Sequence, residues 1–183
     1  YGLVKSILPR VSRTEQEALD AGTVGWDAEL FSGRPDWQKL LGVRKPTEQE
    51  LAEAQEVVRK AEGREMKTLP EIYARESVLI AEYPDTMPVT IQALRIGNLG
   101  IASIPCEVFV EIGLAIKEQS ALKPAFTIEL ANGYNGYLPT AAHHELGGYE
   151  TWRARSSYLE VGAADKIQST ALELLTQLQG RKN

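Results

Sequence analysis

The sequence predicts an α/β fold, a mixed sheet with flanking helices that is incomplete at its N-terminal side. Three observations predict it. The apolar period is helical over residues 47–83 and becomes two near residue 89. Residues 99–130 then read strand–helix–strand, the pattern of parallel strands joined by a right-handed crossover. Residues 1–41 follow neither period, and a stretch this small cannot build its own core.

In the front segment, Ser12-Arg13-Thr14-Glu15 reads as a capping box opening a short helix, which Gly22 and Gly25 interrupt. The rest of the segment predicts an irregular arm whose Trp26, Phe31 and Trp37 must pack against something. From Pro46 the pattern is regular. Thr47-Glu48-Gln49-Glu50 caps a helix to about Glu62, with Leu51, Ala54, Val58 and Ala61 on one face and charged residues on the other. Gly63 closes it. Thr68-Leu69-Pro70-Glu71 opens another, which Pro84 stops. Residues 89–96 alternate as one strand, Gly97-Asn98 supplies a turn, and the apolar run 99–104 returns as a partner buried on both faces. Phe109, Ile112 and Ile116 mark a helix, 126–130 a strand, and Ala164, Ile167, Ala171, Leu174, Leu175 and Leu178 a final amphipathic helix ending at Gly180.

Composition excludes several classes. With 43% hydrophobic and 25% charged residues in 183, the chain is ordinary for a folded soluble protein rather than a disordered one. A net charge of −5 without a basic face argues against nucleic-acid binding. No run approaches the ~18 apolar residues of a membrane span, so no transmembrane segment is expected. The first residues lack a signal peptide's apolar middle, and a start at Tyr1 is expected of a processed or truncated product. One cysteine, Cys106, rules out an intrachain disulfide.

In open α/β sheets, ligands bind beyond the carboxyl ends of parallel strands. Two loops are expected at that edge, Pro105-Cys106-Glu107 and 131–140, the second holding two Asn-Gly pairs that let the backbone fold tightly. A carboxylate and a phenol converging there are hard oxygen donors, suited to a metal or a polar substrate. Zinc–carboxylate bonds are ~2.0–2.2 Å, so the oxygens must meet closely. Glu107 and Tyr137 are the candidate metal pair, and Tyr134 and Asn132 candidate substrate contacts. Spacing alone leaves a second reading open: Glu107 as a first-turn acid favoured by a helix dipole, and the tyrosines as cover for the core. Cys106 is read as a core residue rather than a nucleophile, since no histidine partner is near in sequence. His143 and His144 are adjacent, so their side chains diverge; they are expected as exposed loop residues rather than a metal pair. Arg153 and Arg155, beside Trp152 and Tyr158, suit either an anion or structural ion pairs. No Gly-x-Gly-x-x-Gly, P-loop, Gly-x-Ser-x-Gly or His-Glu-x-x-His pattern occurs.

The run from Ile96 to Phe109, through Ser103-Ile104-Pro105-Cys106-Glu107, resembles the neutral/alkaline ceramidase family, in which a strand ends in Pro-Gly-Glu. The loop Ala131-Asn132-Gly133-Tyr134-Asn135-Gly136-Tyr137-Leu138-Pro139-Thr140, followed by Gly147-Gly148-Tyr149-Glu150, is similar to that family's second signature. The resemblance covers 42–183 and implies the C-terminal part of a larger layered catalytic domain. It implies a zinc-dependent amidase that cleaves the N-acyl bond of ceramide, its zinc held by two histidines, a glutamate and a tyrosine. Glu107 matches the glutamate and Tyr137 the tyrosine, while Cys106 stands in place of the usual glycine. The family's histidine ligands and active-site serine belong to an upstream half. Neither His143 nor His144 matches them, so no catalytic residue is assigned within the chain. Zinc is therefore expected only if an upstream segment, in cis or in trans, supplies the histidines. The substrate expected by resemblance is a ceramide-like lipid amide, and the location secreted or periplasmic.

Residues 8–41 resemble instead the arm preceding the catalytic core of large bacterial acyl-CoA dehydrogenases, which holds neither flavin site nor catalytic glutamate. The expected division is thus 1–41, an arm without its own core, and 42–183, the ceramidase-like α/β segment. The competing expectations are a non-catalytic fusion, degenerate fragment or interaction module, and an acyl-CoA dehydrogenase relative.

Overall fold

The computed structural model describes residues 38–180. The capping box at Ser12, the short helix after it, the packing of Trp26, Phe31 and Trp37, and nearly all of the dehydrogenase-like arm lie outside the described residues. In order, the elements are β1 (Gln38–Gly42), α1 (Glu48–Lys60), α2 (Leu69–Ala81), β2 (Thr86–Thr90), β3 (Gln92–Ile96), β4 (Leu99–Ser103) and β5 (Glu107–Val108). They continue with α3 (Val110–Gln119), β6 (Ala125–Ile128), β7 (Tyr137–Leu138), α4 (Ala141–Leu146), a 3₁₀ turn (Tyr149–Thr151) and α5 (Ala163–Gly180). The result is an α/β fold of small mixed sheets with flanking helices.

Local chemistry sets the helix ends. At α1, the Thr47 hydroxyl accepts from the Glu50 amide at 3.3 Å and the Glu50 carboxylate accepts from the Thr47 amide at 2.7 Å, the reciprocal cap its sequence predicts. At α2, Glu71 accepts from the Thr68 amide at 3.2 Å in the same way. Ala54 and Ala61 are buried on the face α1 turns toward α2, while Glu56 pairs with Arg59 and Lys60 on the outside.

The expected single strand over 89–96 is instead two strands in two sheets. β2 pairs antiparallel with β1, and β3 pairs antiparallel with β4. The alternation survives the change: Val89, Ile91 and Ala93 are all buried. The chain stays extended with one apolar face, and only its hydrogen-bonding partner switches at Ile91. Hydrophobic period reports the face a residue buries and carries no information about which strand lies alongside. β1 is likewise hidden in a segment expected to be irregular. Its Leu41 is fully buried in the core formed with Ile80, Val89 and Ile91.

The strand–helix–strand unit carries parallel strands, as expected: β4 pairs parallel with β6, from Gly100 opposite Ala125 to Ser103 opposite Ile128. The middle of β4 is buried on both faces. α5 lays Ala164, Ile167, Ala171 and Leu175 over β3 and β4. Among the described residues no helix is long and apolar enough to cross a membrane.

Gly100 marks the tightest point of that packing. A Cβ there would stand 2.9 Å from the Leu122 Cβ and 3.1 Å from a Leu175 methyl. Gly100→Val is therefore expected to destabilise the fold by roughly 1–3 kcal/mol through overpacking, read as a lower urea midpoint with unchanged slope.

Candidate functional site

The site begins where β4 ends. Ile104, Pro105 and Cys106 run into the core and are fully buried. Their carbonyls then become anchors for the loop that follows β6. The Ala131 amide donates to Ile104 O (3.2 Å), the Asn135 amide to Pro105 O (2.7 Å) and the Leu130 amide to Cys106 O (3.0 Å). The loop is thus folded around the end of β4. Asn132, Gly133 and Gly136 all have positive φ, the left-handed backbone that the Asn-Gly pairs permit. The two loops expected to meet at this edge do meet.

Their meeting is a two-residue parallel ladder. Glu107 lies opposite Tyr137 and Val108 opposite Leu138. The Glu107 amide donates to Gly136 O at 3.0 Å, and the Tyr137 amide donates to Ser156 O at 2.8 Å. Residues directly opposite in a ladder project to the same face, so Glu107 and Tyr137 stand side by side. Glu107 does not occupy a helical first turn: α3 starts at Val110 with Phe109 as its N-cap, which removes the helix-dipole account of this acid.

The Tyr134 hydroxyl donates to Glu107 Oε1 at 3.1 Å, bringing a second phenol to the carboxylate. Burial and that hydrogen bond to Glu107 raise the Tyr134 pKa. Hydrogen bonding to Tyr149, then burial and the Glu107 charge, lift Tyr137 to about 12. The Tyr149 ring meets that of Tyr137 edge-on, 5.6 Å between centroids. Both phenols next to Glu107 are therefore neutral at physiological pH and donate hydrogen bonds. Tyr149 is the member of this group that residue spacing alone does not place. The Gly147-Gly148-Tyr149 run was its signal, but spacing could not show that the 3₁₀ turn returns this ring to Tyr137.

The other candidates go elsewhere. The Asn132 amide donates to the Gln92 side chain and so fastens the loop to β3. Cys106 is a core residue, as expected, its thiol pushed up to about 12 by burial. His143 and His144 are half-buried on α4 rather than exposed in a loop, because Thr140 caps a short helix there. His143 Nδ1 lies 2.7 Å from Thr140 Oγ1, its Nε2 is 3.6 Å from Glu111, and its ring packs edge-on against Phe109. Arg155 binds Glu76 through two charge-assisted hydrogen bonds of 2.8 and 3.0 Å. Arg153 reaches Glu50 at 3.3 Å, so both arginines form ion pairs within the chain. Among the described residues no three His, Cys, Asp or Glu side chains gather into a metal-holding group. On the shared face of the ladder a carboxylate and a phenol offer hard oxygen donors of the kind zinc accepts, and no described histidine gathers with them into a metal-holding group.

No protein-family model matches the chain. Among solved structures, it is similar to one described as ceramidase complexed with C2, at 21% identity over 52% of this chain and 15% of that one, with a TM-score of 0.42. It is also similar to neutral ceramidase from Pseudomonas aeruginosa, at 19% identity over 82% of this chain and 26% of that one, with a TM-score of 0.45. The matched regions thus span about a quarter or less of those proteins. Neither likeness assigns a residue or a reaction to this chain.

Gly136 is the residue the ladder cannot exchange. Its φ is +78°, and a Cβ there would collide with the Ser156 carbonyl that accepts from Tyr137. Gly136→Ala is expected to cost at least about 1–2 kcal/mol from the left-handed backbone alone. It should also abolish protection of the Glu107 and Tyr137 amides in hydrogen exchange. A second expectation concerns alkaline pH. Tyr137 titrates near 10 in the unfolded chain and about 12 in the folded one, so its contribution is complete below pH 10 and fades between 10 and 12. Removing the phenol with Tyr137→Phe should flatten that part of the stability profile in denaturant titrations.

Proposed function

We propose that this chain is the part of a neutral ceramidase-like zinc amidohydrolase that carries the glutamate and tyrosine ligands of the metal, Glu107 and Tyr137. The histidine ligands come from a separate segment, in cis or in trans. The observation that carries the reading is the in-register pairing of Glu107 with Tyr137 across β5 and β7, with Tyr134 bonded to the same carboxylate. The sequence motifs at 96–109 and 131–150 support it. Zinc bound there supplies Lewis-acid polarisation of an amide carbonyl and a water of lowered pKa.

The chain's own groups have distinct parts. Glu107 offers the anionic oxygen, and Tyr134 holds the orientation of its carboxylate. Tyr137 offers its phenol oxygen beside that carboxylate, positioned by the ladder register and by the edge-on Tyr149 ring. The substrate class is a ceramide-like lipid amide. With half of the ligand set, the chain by itself is inactive.

The test is a zinc titration of the purified chain followed by amide NMR. Shifts are expected to centre on residues 107 and 134–137 and to vanish in Glu107→Gln. Shifts centred on 143–144, or unchanged in Glu107→Gln, would sink the ligand assignment. In parallel, the chain with zinc and a fluorescent N-acyl sphingoid should release no fatty acid, and zinc-dependent release would overturn its dependence on a second segment.

A further inference from the structure

The three-stranded sheet ends at β6, and among the described residues no strand lies on its outer side. The Gly100 amide donates to Pro124 O at 2.9 Å and the Ile104 amide to Ile128 O at 3.0 Å, so the even-numbered residues of this stretch turn their backbone groups to β4. Alternation leaves the amides and carbonyls of Thr127 and Glu129 on the outer side. Such an edge is a template for pairing with another strand. No proline stands between residues 125 and 129 to block it.

Apolar side chains flank the edge. A groove of about 310 Å³ runs between α3 and β6, its walls including Val110, Leu114 and Lys117 on one side and Phe126, Thr127 and Glu129 on the other. Val110, Leu114 and Lys117 stand at i, i+4 and i+7, one stripe of the helix, and the two apolar members are more than half exposed. On the other face of β6, Phe126 and Ile128 are each 43% exposed. Open backbone groups between two apolar margins suit a strand that brings apolar side chains of its own.

Charge selects the occupant. Glu129 accepts from the Val108 amide at 2.9 Å, which sets the end of β6 beside the start of α3. Lys123 donates to the Lys117 and Glu118 carbonyls at 2.7 and 2.6 Å, which sets the start of β6 beside the end of α3. Lys123 is thereby spent on helix carbonyls, and Lys117 is the cation facing the groove. The edge is therefore basic at one end and acidic at the other. A second copy related by a two-fold axis near Thr127 presents the same edge antiparallel, so each Lys117 end meets a Glu129 end. A parallel copy would set like charges together and leave the contact unclosed.

We infer that two copies of this chain associate through β6, edge to edge and antiparallel, with the α3 stripes side by side and Lys117 of each copy against Glu129 of the other. One strand edge and one helix stripe make a small interface, so the dimer is reversible.

Sedimentation equilibrium of the purified chain is the test. A monomer–dimer equilibrium is expected, weakened roughly tenfold or more by Leu114→Glu and by Lys117→Glu. Both residues are exposed, so neither substitution enters the core. Exchanging the charges in Lys117→Glu/Glu129→Lys should restore association. Hydrogen exchange gives a second reading: protection of the Thr127 amide rises with protein concentration, while that of the Ile128 amide, already turned to β4, stays constant. A chain monomeric at every concentration overturns the proposal and leaves the edge to a segment of another polypeptide. A dimer that survives Leu114→Glu and Lys117→Glu, or gains no Thr127 protection, overturns it as well, because its copies meet elsewhere. Growth beyond the dimer overturns the two-fold closure. A double variant that stays dissociated while its Glu107 and Tyr137 amides remain protected overturns the charge pairing.

Discussion

The two-residue ladder between β5 and β7 is the constraint on which the arrangement of this protein's polar groups depends. It contains few hydrogen bonds, and its position is set by what lies beneath it. Pro105 and Cys106 are buried without polar partners for their side chains, so the backbone after β4 enters the core and its carbonyls need donors. The loop after β6 supplies those donors from residues 130, 131 and 135. Once those bonds form, Glu107 can align only with Tyr137, and a carboxylate and phenol distant in sequence share one face.

The segment 149–158 braces the ladder from the other side. Ser156 O accepts from the Tyr137 amide, and Gly136 is pressed too closely against the same carbonyl for any side chain. The segment is tied down by buried and half-buried charge. Arg44 donates to Thr151 O at 2.9 Å and Ser157 O at 2.6 Å, while Glu76 holds Arg155. Breaking one partner of such a pair leaves the other unsatisfied, which costs more than the intact pair contributes. These contacts matter here chiefly for where they hold the Ser156 carbonyl.

That bracing gives the site its chemical character. The phenols of Tyr134 and Tyr137 keep their protons, because their hydrogen bonds stabilise the neutral form and burial disfavours the phenolate. The carboxylate is the one formal charge in this group of three, with donors on two sides. Such a group suits a hard cation or a neutral amide better than an anion.

Much of this protein was determined by its sequence alone. The capping residues Thr47 and Glu71 set the starts of α1 and α2, the β4–α3–β6 run set a parallel pair, and the positions of Pro105 and Glu107 after a nearly all-apolar strand marked the edge that holds the candidate site. Those features are local, carried by side-chain periods and by backbone groups a few residues apart. Only the tertiary structure decided that the extended run 86–96 changes partner at Ile91, that β1 exists, that Tyr149 returns to Tyr137, and that the Asn132 side chain donates to Gln92. Each of these depends on which distant segment supplies a hydrogen-bond partner or a packing surface. Sequence periodicity records the side a residue buries, and pairing across space is settled when buried backbone groups compete for the same few donors and acceptors.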